Sequence, residues 1–218
     1  LFNRFVGYNI VVSSTQYPGY GGAATNAYAI IKKLRSINVN AVGVFFHPNT
    51  VINFDPDKIG GIFLYNNFSW KYMPELNQIE KIRKDVTTYL KAKPNYCLAK
   101  NYVAPLICKN LFNCYTIYLV SGINHIGKFY KNIPAHTILH NDFIVKPNEK
   151  IEQEINCNET CDKIVLNSKL SLDIFKKIYP TTVNKIYPHV VDTTNCVTIH
   201  SDFIENSKEF DIIIACSN

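Results

Sequence analysis

The 218-residue chain has one Met, one Trp and nine Gly, and charged residues make up only 18% of it. It has no apolar run of the roughly 18 residues that a membrane-spanning helix needs. It also shows no Lys/Arg-led apolar leader followed by a small-residue cleavage site, which leads us to expect a cytoplasmic protein. The net charge of +6 is spread along the sequence. No basic block tracks a phosphate backbone, so nucleic acid is not an expected partner, although a peripheral membrane contact is permitted. The glycine patterns of dinucleotide folds and of P-loops are both missing. Internal repeats and low-complexity tracts are missing too.

The seven cysteines are irregularly spaced. Cys157 and Cys161 form a C-x3-C pair with no second Cys or His pair at finger spacing, so we expect no structural metal and read the thiols as reduced and buried. His136, His140 and Asp142 could ligate a metal if helical, but Thr137-Ile138-Leu139 reads equally well as a strand. Two sequons, at Asn67 and Asn158, carry weight only in a secreted protein, and we read them as coincidental.

The sequence is 47% hydrophobic, enough for a sizeable core. Asn9 to Ser13 reads as a buried strand that stops at the Tyr17–Gly22 cluster. In 23–35 the residues Ala27, Ile30, Ile31 and Leu34 recur at helical spacing, with Lys32, Lys33 and Arg35 near the end where the macrodipole favours cations. Strands are expected at 40–46, 60–65, 95–99, 114–120, 163–166 and 185–187. Helices are expected at 76–91, 103–110, 151–155 and 169–179. This alternation predicts an α/β, Rossmann-like, doubly wound and mostly parallel sheet with helices on both faces. We expect it to fill 1–192, with a polar linker at 193–209 and the start of a second, truncated domain at 210–218.

The Tyr17–Gly22 loop joins a strand to a helix. It is either a turn that closes a βα unit or a place where backbone N–H groups meet a diphosphate at the helix start. Further blocks bear on the choice: Gly21-Gly22-Ala23, then Asp162 with Ser168, then Pro188 with Val191 and Asp192. In this order and spacing they resemble the N-terminal domains of retaining GT-B glycosyltransferases of family four, and the resemblance covers nearly the whole chain.

That resemblance implies the N-terminal, acceptor-side half of a GT-B fold. It implies transfer of a hexose from a nucleoside diphosphate sugar to a glycan, lipid or protein hydroxyl, with no cofactor or metal. Tyr20, Gly21, Gly22, Ala23 and Ser168 become candidate substrate-binding residues, and Asp192 a hinge residue. Where relatives carry His-Gly after a strand, this chain has Ser121-Gly122, with His125 following. Ser121 and His125 are thus the catalytic candidates, the alternative for His125 being an exposed loop position. The family's donor-binding domain and its Glu pair have no counterpart after Asp192, so the fragment alone is expected to be inactive. Acceptor specificity would sit in 49–57, 66–74 and 122–134. Phe68, Trp70 and Tyr72 there could stack on a sugar, fill a core or form a homodimer contact. Rival readings are a nucleotide-sugar epimerase half and a non-catalytic glycan- or protein-binding module.

Overall fold

The computed structural model describes residues 7–18, 22–47, 60–65, 76–120 and 149–189. Six strands form one sheet: β1 (Asn9–Ser14), β2 (Asn40–Phe46), β3 (Ile62–Tyr65), β4 (Tyr96–Lys100), β5 (Tyr115–Val120) and β6 (Lys163–Leu166). Their order is β3-β2-β1-β4-β5-β6. Every neighbouring pair is parallel, with Val11 opposite Val42 on one side and Cys97 on the other. This is the Rossmann order, in which the chain winds outward from β1 in one direction and then restarts beside it in the other.

Among the described residues five α-helices cover the sheet: α1 (Gly22–Ser36), α2 (Leu76–Leu90), α3 (Val103–Phe112), α4 (Glu149–Thr160) and α5 (Lys169–Ile178). Because side chains alternate along a strand, β1 sends Ile10 and Val12 to one face and Val11 to the other. Ile10 and Val12 pack with Ala27, Ile30 and Ile31 of α1. Val11 packs with Ile82 and Val86 of α2 and Ile107 and Leu111 of α3. A third cluster joins Tyr118, Ile164 and Leu166 to Phe175 of α5. Helices therefore lie on both faces, as a buried parallel sheet requires.

Three expected elements are redrawn. Gly60 and Gly61 precede β3 rather than belonging to it, because their φ values of 58° and 62° are left-handed. Arg35 holds this corner: its Nη1 and Nη2 donate to the carbonyls of Gly60 and Gly61 at 2.8 and 2.9 Å, and its Nε to Ala41 at 2.9 Å. Its guanidinium also lies over the Tyr89 ring. The role is thus a specific three-carbonyl clamp, beyond a general match to the helix dipole. A Cβ at Gly61 would run into the Tyr89 ring. Gly61→Ala is therefore expected to lower stability by about 1–2 kcal/mol in urea unfolding, from backbone strain plus displacement of that ring.

The expected strand at 185–187 is a 3-10 helix over Pro180–Lys185 followed by a single bridge. Ile186 pairs with Ile164, and Tyr187 N donates to Ile164 O at 2.8 Å. The third change is α4, which runs over 149–160 rather than 151–155. The expected linker and second domain, 193–218, lie outside the described residues. Among the described residues no helix is long and apolar enough to cross a membrane.

Candidate binding crevice at the strand reversal

In an open parallel sheet the connections at the carboxyl ends of two adjacent strands part in opposite directions where the winding reverses, which leaves a crevice. Here the reversal lies between β1 and β4. An unusual concentration of buried polar side chains sits at this edge. β1 ends on Ser13 and Ser14, followed by Thr15, and all three are at most 1% exposed. β4 ends on Lys100, also buried, and His47 follows β2 at 3% exposure.

Two contacts tie the edge together. Ser14 Oγ donates to Asn101 Oδ1 at 2.7 Å, bridging the ends of β1 and β4. Tyr17 sets its ring edgewise to the His47 imidazole, with centroids 5.0 Å apart. Asn101 has φ of 70°, so the chain turns sharply from β4 into α3. Such left-handed non-glycine residues are costly and mark places where the surroundings over-determine the backbone. Ser13 Oγ is buried without a hydrogen-bond partner among the described residues.

α1 opens beside this edge with Gly22, and its first turn carries no acidic residue. The first N–H groups of a helix have no partner within it and carry the positive end of the macrodipole, so they suit an anion. Gly22 is exposed, and a Cβ there would meet nothing within 4 Å among the described residues. Ala23, next along, is half-buried.

Ser168 lies past the carboxyl end of β6 and caps α5. Its Oγ accepts from Ser171 N at 3.1 Å and donates to Ser171 Oγ at 2.8 Å. The hydroxyl is thereby committed to the cap. Asp162 precedes β6 at the opposite edge of the sheet. Its Oδ2 accepts from Thr116 N and from Lys109 Nζ, both at 2.7 Å, which fastens β6 to β5 and α3. Pro188 is exposed just after the Ile164 bridge.

The other expected site residues, Tyr20, Gly21, Ser121, His125 and Asp192, lie outside the described residues. So do His136, His140, Asp142, Phe68, Trp70 and Tyr72. Cys157 and Cys161 are buried with their Sγ atoms 3.9 Å apart. Among the described residues no three His, Cys, Asp or Glu side chains gather as metal ligands would. The sequon asparagine Asn158 is fully buried inside α4 and closed to modification in the folded chain.

The residues that sequence reasoning passed over are Ser13, Ser14, Thr15, His47, Lys100 and Asn101. A signal for them existed: polar residues closing apolar strands at one edge of a doubly wound sheet. The strand order needed to group them is not written in any single segment.

No family model matches the chain, and no curated protein matches it. Solved structures do. A lipopolysaccharide outer core galactosyltransferase WaaB in its apo form is similar at 14% identity and a TM-score of 0.47, over 88% of this chain and 47% of that one. Phytolacca americana UGT2, complexed with UDP-2fluoro-glucose and pterostilbene, is 9% identical with a TM-score of 0.45, over 84% of this chain and 54% of that one. A UGT transferase from Siraitia grosvenorii in complex with UDP is also 9% identical, with a TM-score of 0.39, over 84% and 47%. The chain spans about half the length of these structures.

Proposed function

We propose that this chain is the acceptor-side domain of a cytoplasmic GT-B glycosyltransferase, which moves a sugar from a nucleoside diphosphate donor to a hydroxyl of a glycan, lipid or protein. The observation that carries the reading is the crevice between β1 and β4, where the Ser14–Asn101 bridge and the start of α1 converge. The three sequence blocks that resemble family four add to it, above all Gly21-Gly22-Ala23, whose last two residues open α1 at this edge.

In that reading the chain works by positioning and by electrostatics. Binding both substrates in the crevice removes translational freedom before reaction. The N–H groups of Gly22 and Ala23 face the diphosphate and stabilise the charge that grows on it as the glycosidic bond breaks; Tyr20 and Gly21 are the further substrate-binding candidates of the sequence. Ser121 and His125 are candidates for contacting the reacting sugar and Asp192 for the hinge to a donor-binding domain, while the Ser168 hydroxyl is engaged in capping α5. The scheme calls on no cofactor.

Gly22→Ala separates ligand from fold. The added Cβ meets open space, and alanine is a better helix former than glycine by up to about 1 kcal/mol, so stability should hold or rise. In a titration of the isotope-labelled chain with UDP, we expect amide shifts at Ser14, Gly22 and Asn101, and at least tenfold weaker binding by Gly22→Ala. Shifts confined to other residues, or unchanged affinity in the variant, would overturn the reading. Glycan-induced shifts confined to residues away from Ser14, Gly22 and Asn101, with none on adding UDP, would mark a binding module instead.

A further inference from the structure

The inward stripe of α4 carries Glu154, Cys157 and Asn158 and continues into Cys161 just after the helix, an i, i+3, i+4, i+7 set, each at most 1% exposed. An amphipathic helix normally buries an apolar stripe. This one buries a carboxyl and an amide, and both are poorly served. Glu154 Oε2 accepts from the Tyr179 hydroxyl at 2.6 Å. One turn on, Asn158 Oδ1 and Nδ2 are buried with no hydrogen-bond partner among the described residues. A half-satisfied polar network in a low-dielectric interior gives up much of the stability its packing confers.

No cation relieves this charge among the groups seen to act on it. Those facing Glu154 are the Tyr118 hydroxyl from β5, the Tyr179 hydroxyl at the end of α5, and the Cys157 thiol, which itself meets Cys161. Lys109 of α3, which packs against α4, pairs with Asp162. Lys185 donates to the Glu159 carbonyl. Lys169, Lys176 and Lys177 of α5 are exposed.

We propose that Glu154 is the latch of a proton-controlled clamp: protonated, it lets α4 sit against β5 and the end of α5; ionised, it loosens both together. The consequence reaches the chain's exit from the sheet, because Tyr179 begins the 3-10 helix that leads to the Ile186–Ile164 bridge. Burial pushes the Glu154 carboxyl up to about 7, against the Tyr179 hydrogen bond, which pulls it down. The closed clamp therefore holds a proton that the opened, solvated carboxyl releases to water. Closure is favoured below the ordinary carboxylate range and is progressively lost as pH rises through about 7. The inference does not depend on the glycosyl-transfer reading.

Hydrogen exchange of the 218-residue chain at pH 6 and pH 8, corrected for intrinsic rates, tests it. From a shift of this size, protection of 152–160 and 172–185 should fall about tenfold more than that of β1 and β4, and Glu154→Gln should abolish the difference. Equal protection at both pH values, or a loss that persists in Glu154→Gln, overturns the proposal. If that variant does not fold, carboxyl-carbon NMR of the wild-type chain decides: a glutamate midpoint near 7 that tracks the loss supports the latch, and its absence sinks it.

Discussion

Asp162→Ala is expected to destabilise the fold by about 2–3 kcal/mol in chemical unfolding and to leave UDP titration of the crevice unchanged. The carboxylate serves two donors, a backbone N–H and an ammonium, and both sides of the Lys109 pair are only partly exposed, at 25% and 30%. Removing it strands Thr116 N at the edge of β5 and leaves a half-buried ammonium with the Cys114 carbonyl at 3.1 Å but no counter-charge. Breaking such a pair costs more than the pair itself contributes, and partial exposure keeps the loss below that of a fully buried charge. Asp162→Asn, which can still accept from Thr116 N, should lose roughly half as much. Weakened UDP binding by folded Asp162→Ala would contradict this assignment, because the residue sits at the sheet edge away from the crevice.

Asp162 also shows why a motif can be legible while its meaning is not. The block from Asp162 to Ser168 marks where a strand starts and a helix follows, and the chain does fold that way there. In the structure these two side chains act locally, one as a strand fastener and the other as a helix cap. Strands and helices were readable wherever apolar residues repeat with a clear period. β2 matches its expected span of 40–46, and α1 differs by a residue at each end.

The misses have a common physical cause. α4 is longer than its expected span because Glu154 and Asn158 stand beside Cys157 on its buried side and interrupt the apolar period. Residues 185–187 looked like a strand because Ile186 and Tyr187 favour one, yet only one bridge to Ile164 forms. Gly60 and Gly61 looked like the start of β3, and only the φ values and the Arg35 clamp reveal the corner. The crevice was hidden for another reason. Ser14 and Asn101 are 87 positions apart, and only the parallel placement of β4 beside β1 brings them together.

Gly43→Val is expected to cost about 3 kcal/mol or more, and Gly43→Ala about 1–3 kcal/mol. Gly43 lies inside β2 on the face covered by α1, where most strands would carry a β-branched residue. A Cβ there would sit 2.7 Å from Ile31 Cδ1, 2.7 Å from Ile62 Cδ1 and 2.9 Å from Phe45 Cε2. Three apolar tips therefore occupy the space that a side chain would take. Ile31 belongs to α1, so whatever strain its Cδ1 does not relieve by turning aside pushes that helix outward. Its first residue, Gly22, is the one proposed to meet the diphosphate, and a small outward shift of a rigid helix moves those N–H groups with it. Gly43→Ala should consequently weaken UDP binding even where the protein is fully folded. Ile31→Val, which removes one of the three clashing groups, should recover part of the lost stability and the binding that depends on α1 in the double variant. Binding losses unaffected by Ile31→Val would mean that α1 does not carry the strain to the crevice.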